Sequence, residues 1–266
     1  MNLNFWHWLK INFKVTTLLL FINIVLYIIS FGLSAFLLAG NDSLSLTLLG
    51  AQILPGSQAP YSEFILQPWR WITSSFLHGG LFHLAFNMWA LNSLGNFVEK
   101  FYNGKKLFLI YIFTAITSAA ASFIVGMISL MQNNGIAEGL IASVGASGAI
   151  FGLVGVLLGN KLLRNKTYES EIHIDTRSLV LMVVVNLFFG FSLNSAGSGI
   201  YINNWAHLGG LIGGLILGVI LSTTNSFDVS KFKKILEKIL FILAVILFIL
   251  AFVADIIFVV INFLSL

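Results

Sequence analysis

Seven apolar runs dominate this chain, spanning roughly 15–39, 74–98, 107–131, 143–163, 178–196, 204–222 and 236–262. Each approaches or exceeds the ~20 residues a helix needs to cross a hydrocarbon core. In lipid, the backbone N–H and C=O groups of such a run must be satisfied internally, so each run is expected to be a helix. Composition closes the soluble alternative. Hydrophobic residues make up 58% of the chain and charged residues 9%, against about one-quarter charged in ordinary soluble domains. The expected fold class is an all-α polytopic membrane protein.

The charges test the count of spans. Lys10 and Lys14 precede the first run, and Lys100, Lys105 and Lys106 follow the second. Lys161, Arg164, Lys166 and Arg177 separate the fourth from the fifth; Lys231, Lys233, Lys234 and Lys238 separate the sixth from the seventh. Arg70 alone falls in the other set of loops, so thirteen of fourteen basic residues lie on one side. The positive-inside rule makes that side cytoplasmic. This predicts an inside N-terminus, an outside C-terminus and seven spans; six or eight would break the alternation. Residues 10–39 have the basic start of a secretory signal but too long an apolar core, and read as an uncleaved span. Residues 1–14 form a short cytoplasmic segment.

Two polar stretches remain. Gly40 to Arg70 carries Pro55, Pro60 and Pro68, with Tyr61, Trp69 and Trp71 expected at the membrane interface, where aromatics collect. Asp228 to Lys238 reads as a basic amphipathic entry to the last helix, suited to anionic headgroups. Asp255, about 25 Å above Lys238, is expected to snorkel to the outer interface. With no cysteine in the chain, disulfides, cysteine nucleophiles and thiolate metal sites are excluded.

Polar side chains inside spans are costly and mark functional hypotheses. Five stand out: His78, His83 and Asn87 in the second run, Ser147 in the fourth and His207 in the sixth. Counted from the cytoplasmic ends of their spans, His83, Ser147 and His207 sit at one depth, roughly 21–24 Å up. Unrelated polar residues have no reason to share a layer. Ser147 lies in Gly145-Ala146-Ser147-Gly148, whose small residues alone would be read as helix packing.

A serine hydroxyl attacks only when a base takes its proton, and neutral histidine is the usual base. Ser147 with His207 supplies that pair. No acidic residue shares their depth, so a dyad is expected rather than a triad. Phe151, one turn after Ser147, is placed to pack on the imidazole. His83 and Asn87 share a helix face and, with the Ser147 backbone N–H, form a candidate oxyanion site; their bland reading is interhelical hydrogen bonding. His78 is expected to point elsewhere on the helix, as a structural hydrogen-bonder near the surface. Gly210 and Gly214 lie three and seven residues after His207. Glycines there let two backbones approach closely enough for hydroxyl and imidazole to touch.

These residues resemble the rhomboid intramembrane serine proteases. The matching elements are Trp69-Arg70, His78, His83-Leu84-Ala85-Phe86-Asn87, Glu99, Gly145-Ala146-Ser147-Gly148, and Ala206-His207-Leu208-Gly209-Gly210 with Gly214. The resemblance implies a six-helix core over 15–222, followed by a linker and seventh helix over 223–266, as in the 6+1 branch. It implies Ser147 as nucleophile, His207 as general base, and His83 with Asn87 at the oxyanion. It also implies a water-filled cavity open to the outside, a first loop that shapes the side of that cavity, and no metal or cofactor. Substrates would be transmembrane segments cut near their outer ends, with small side chains before the cleaved bond. Phe151 departs from the pattern, standing where a tyrosine often packs on the histidine.

Other classes fit less well. A membrane metalloprotease needs His-Glu-x-x-His, which is absent, and an aspartyl type needs two intramembrane aspartates. A transporter would show repeated halves with broken helices, and none is visible. A non-proteolytic membrane chaperone on the same scaffold is the remaining alternative. The expected partners are transmembrane segments and the lipid bilayer, with no nucleic acid. The expected location is a bacterial cytoplasmic membrane.

Overall fold

The computed structural model describes residues 14–55, 67–132, 142–163, 175–195, 202–223 and 229–264. Segment 1–13 with Lys10, and also Pro60, Tyr61, Arg164, Lys166 and Asp228, lie outside those residues. Among the described residues seven helices reach 17 residues or more: α1 (Val15–Leu37), α2 (Leu81–Tyr102), α3 (Gly104–Gln132), α4 (Ser147–Leu163), α5 (Thr176–Ser195), α6 (Asn204–Ile220) and α7 (Lys231–Leu264). They follow the seven apolar runs in order. The helices α1, α3 and α7 are long and apolar enough to cross a membrane on their own account, whereas α4, α5 and α6 supply shorter apolar segments.

The outward faces are those of a bilayer protein. Phe21, Phe36, Phe82, Phe86, Trp89, Phe188 and Ile216 are all exposed, a density of bare apolar surface that water would penalise. Polar groups turn inward instead. Asn23, Thr114, Ser118 and Ser122 are buried, and the Asn23 amide folds back onto the Leu19 carbonyl at 2.7 Å.

The helix α6 is the centre of the bundle, packed along α4 on one side and α3 on the other. Its glycines explain the closeness. A Cβ on Gly210 would strike the Gly148 carbonyl, one on Gly214 the Gly152 carbonyl, and one on Gly218 the Val156 carbonyl. On the opposite face Gly209 and Gly213 meet Thr117 and Ala121 of α3. Leu153, Leu157 and Leu217 continue this seam into the main apolar core with Leu107 and Tyr111.

Charged groups clamp the end of the bundle opposite Ser147. The Glu99 carboxylate accepts from the Val15 and Thr16 backbone N–H groups at 2.7 and 3.0 Å, and from the Thr16 hydroxyl at 2.6 Å. It therefore caps α1 with a negative charge where the helix dipole favours one. Lys106 of α3 donates to the Ser222 carbonyl at 2.6 Å and pairs with Glu237 of α7 at 3.0 Å. The basic entry to the last helix is thus its own first turns, with Glu237 facing the protein.

Two expectations need correction, the start of the second span and the fate of Asp255. The second span begins not near residue 74 but at Leu81: Ser74–Phe76 form a 3-10 turn, Leu77 is extended, and Gly79-Gly80 interrupt the chain before α2. Where it is described, the first loop is folded against the bundle, with Trp69 and Trp71 half-buried. Asp42–Leu48 form a short helix, Gln52–Ile53 (β1) pair antiparallel with Ala142–Ser143 (β2), and Leu48, Ala51, Leu54 and Arg70 are buried. Asp255 does not snorkel. It is 6% exposed, because α7 turns that face toward Trp69 and Arg70 rather than toward lipid.

Candidate active site

Ser147 is the first residue of α4, His83 the third of α2 and His207 the fourth of α6. All three belong to first turns, so the shared depth read from the sequence is a meeting of three helix N-termini. Free N–H groups and the positive ends of the dipoles point into this space.

The Ser147 hydroxyl and His207 Nε2 are hydrogen-bonded at 2.8 Å. The Phe151 ring lies flat against the imidazole, with centroids 4.4 Å apart and planes 7° from parallel. His207 is buried, and its Nδ1 has no hydrogen-bond partner among the described residues. Among the described residues no acidic side chain is hydrogen-bonded behind it. Asn203 is the N-cap of α6: its amide oxygen accepts from the Ala206 N–H at 3.1 Å, and its Nδ2 donates to Ser122 Oγ and Ser143 Oγ at 2.9 and 3.1 Å. That one side chain fixes the start of α6 against α3 and β2, and so sets where His207 stands.

Gly145 approaches His83 closely. A Cβ there would lie 2.8 Å from both Cε1 and Nε2 of the His83 ring, and its φ of +130° is a region L side chains rarely adopt. Both facts require glycine. The Gly145 N–H donates to the Ser74 carbonyl at 3.0 Å, so the turn before α2 holds the loop before α4. Asn87 is buried, and its Nδ2 donates to the His83 carbonyl at 3.0 Å. That uses one of its two N–H donors.

His78 is corrected in place. It lies before α2, is 2% exposed, and sets its ring edge-on to His83 with centroids 5.1 Å apart. It is a buried packing partner of His83 and stands before the helix, not on it near the surface. Trp69 and Arg70 stand apart from Ser147, where Arg70 donates to the Thr47 and Ala51 carbonyls at 2.7 and 2.9 Å. Gly148 also packs on Ser118, so the serine's helix touches α3 and α6 at once.

Sequence reasoning passed over Asn203, Ser74, and Gly155, Gly159 and Gly218. The glycines were legible, since they extend the same spacing along α4 and α6. Nothing local marked the Ser74 carbonyl.

Fold and site together define a polytopic membrane protein with a serine hydroxyl and an imidazole in contact between buried helices. A Rhomboid domain family model matches residues 66–224, more than half of the chain, which therefore belongs to the rhomboid family. It is 37% identical over 144 residues to "Rhomboid protease GluP" of Bacillus subtilis (strain 168), covering 54% of this chain and 24% of that protein. It is 30% identical over 192 residues to "Rhomboid-like protease 2" of Toxoplasma gondii, covering 72% and 60%. It is also 29% identical over 145 residues to "Inactive RHOMBOID-like protein 8" of Arabidopsis thaliana, covering 54% and 35%. The chain thus spans less than two thirds of the length of these relatives. One of them carries the word inactive, so family membership by itself does not decide activity.

Proposed function

We propose that this chain is an intramembrane serine endopeptidase that cleaves a transmembrane segment of another membrane protein. The observation that carries the reading is the 2.8 Å contact between Ser147 Oγ and His207 Nε2. In the reaction, Nε2 takes the hydroxyl proton as Oγ attacks the scissile carbonyl carbon. The negative oxygen of the tetrahedral intermediate is met by the Ser147 N–H, by the His83 ring and by the remaining Asn87 N–H. His207 then returns the proton to the departing amine, leaving an acyl ester on Ser147. Water, deprotonated by the same imidazole, hydrolyses that ester and restores the hydroxyl.

Phe151 takes the place of an orienting carboxylate by holding the imidazole plane. Residues 15–222 act as the protease core and 223–266 as an added linker and helix. Apart from Arg70, the described basic residues gather at the end opposite Ser147, which supports an inside N-terminus and a site near the outer face of what we take to be a bacterial cytoplasmic membrane. The cut would accordingly fall near the outer end of the substrate helix.

The test is labelling of detergent-solubilised protein with a serine-directed fluorophosphonate. Labelling of the parent chain and its loss in Ser147→Ala and His207→Ala is the expected result. Equal labelling of Ser147→Ala would overturn the reading.

A further inference from the structure

The seventh helix holds a carboxylate that the reaction above does not use. From Ile239 to Asn262 the only charged side chain is Asp255, and it is buried. One face of α7 repeats at three- and four-residue spacing through Phe248, Phe252, Asp255 and Phe258, and every one of these meets the turn before α2. Phe248 and Phe252 pack edge-on to Phe76 at 5.7 and 5.6 Å. The Phe258 ring lies 6.2 Å from Trp69 and 5.0 Å beneath the Arg70 guanidinium. Asp255 reaches between them. Its carboxylate lies beside Arg70 and the Trp69 indole, and neither its Oδ1 nor Trp69 Nε1 has a hydrogen-bond partner among the described residues. Its Oδ1 lies 2.6 Å from where a Gly50 Cβ would stand. Thr73 closes the same corner by donating to the Gly50 carbonyl at 2.8 Å.

A continuous path leads from this corner to the site. Arg70–Thr73 form a helical turn that runs into Ser74–Phe76. The Ser74 carbonyl holds the Gly145 N–H at 3.0 Å. The adjacent Ser75 carbonyl accepts from Tyr111 Oη at 2.9 Å, tying the same turn to α3. Gly145 in turn abuts His83 and precedes Ser147 by two residues. The cation and anion at the head of the path are both withdrawn from solvent, where their attraction is little screened. Removing Asp255 would take the anion from a corner in which the Thr47 and Ala51 carbonyls also hold Arg70, and a buried charge is sensitive to such a loss.

We propose that Asp255 is a positioning residue for Ser147, and that α7 is therefore part of the working site and not merely an added span. Through Arg70 and Trp69 it sets the 69–76 turn, and through the Ser74 carbonyl it sets Gly145 and the loop entering α4. The proposal rests on the protease reading for its catalytic consequence, but its mechanical part does not.

The experiment uses the full chain in detergent with Asp255→Asn and Asp255→Leu, each reacted with the fluorophosphonate probe over time. The final labelled fraction reports how much protein is folded; the rate constant of that fraction reports site geometry. Asp255→Leu is expected to lower the rate constant about 10- to 100-fold, the range for a small misplacement of reacting groups, and Asp255→Asn to fall between it and the parent. A lower labelled fraction with an unchanged rate constant in both variants would reduce Asp255 to a structural residue and overturn the proposal. Should Asp255→Leu not fold, Asp255→Asn decides.

A second readout needs no enzyme activity. The chain has no cysteine, so Val144→Cys places one thiol beside Gly145. Its maleimide reaction should accelerate on the order of 10-fold when Asp255→Leu is added, as local opening becomes easier. If the parent takes no fluorophosphonate label, the protease reading fails on its own. The thiol rate then decides the coupling: acceleration supports it and an unchanged rate overturns it.

Discussion

The Phe151 ring covers the His207 imidazole at 4.4 Å with the two planes 7° apart. Among the described residues it is an aromatic face, and no carboxylate, that lies against the histidine in contact with Ser147. Stacking of this kind contributes about 0.5–1.5 kcal/mol beyond area burial. Phe151→Tyr should keep most of the cleavage rate and Phe151→Ala should lower it by roughly 3- to 10-fold, in line with that energy. The measurement is turnover of a transmembrane reporter per fluorophosphonate-titrated site. Unchanged turnover in Phe151→Ala would return the ring to packing alone.

His83 lies against Gly145, and Asn87, one turn later on α2, donates to the His83 carbonyl. Replacing either with alanine removes a candidate oxyanion donor, and the expected loss is roughly 10²-fold in kcat with unchanged helical circular dichroism. His78→Ala should act more weakly, through His83, because its ring only buttresses that imidazole at 5.1 Å. If His83→Ala and Asn87→Ala both turn over at the parent rate, these side chains are packing groups.

The glycine seam between α4 and α6 predicts a stability contrast. Gly214→Ala drives a methyl group into the Gly152 carbonyl, a backbone atom that cannot move aside. It should cost about 1–3 kcal/mol and separate Ser147 from His207. Gly32→Ala has nothing within 4 Å of the new methyl group and should be neutral or slightly stabilising, since alanine is the better helix former. Thermal unfolding in detergent distinguishes the two. Equal midpoints would show that the helices are farther apart than the contact implies.

Glu99 predicts the converse, a loss of stability without a loss of chemistry. Its carboxylate serves three donors at the start of α1, far from Ser147. Glu99→Ala should destabilise by about 1–3 kcal/mol by leaving those groups unmet, with turnover per titrated site unchanged. A fall in that turnover would mean that α1 communicates with the site.

Most of the architecture was legible from residue type alone. Apolar runs in a chain this poor in charge can only be spanning helices, because lipid offers the backbone no other partner. The pairing of Ser147 with His207 was legible too, since polar groups are expensive there and Gly210 and Gly214 mark a close approach on the face of His207. Helix ends were not. Hydropathy runs straight through Ser74 to Leu77, while the backbone leaves the helical region at Leu77 and Gly80 and α2 begins only at Leu81.

What the sequence by itself determined is therefore the order of the apolar helices and the contact of Ser147 with His207, both consequences of local polarity and period. What only the tertiary structure decided is which face each buried polar group turns to. Asp255 read as a residue reaching for the interface because its own helix gives it no partner. Its partners, Arg70 and Trp69, lie about 185 residues away in the chain, and only packing α7 against the 69–76 turn brings them together. Asn203, His78 and the Ser74 carbonyl were hidden for the same reason: hydrogen bonds and ring contacts between distant segments leave no periodic trace in the segments themselves.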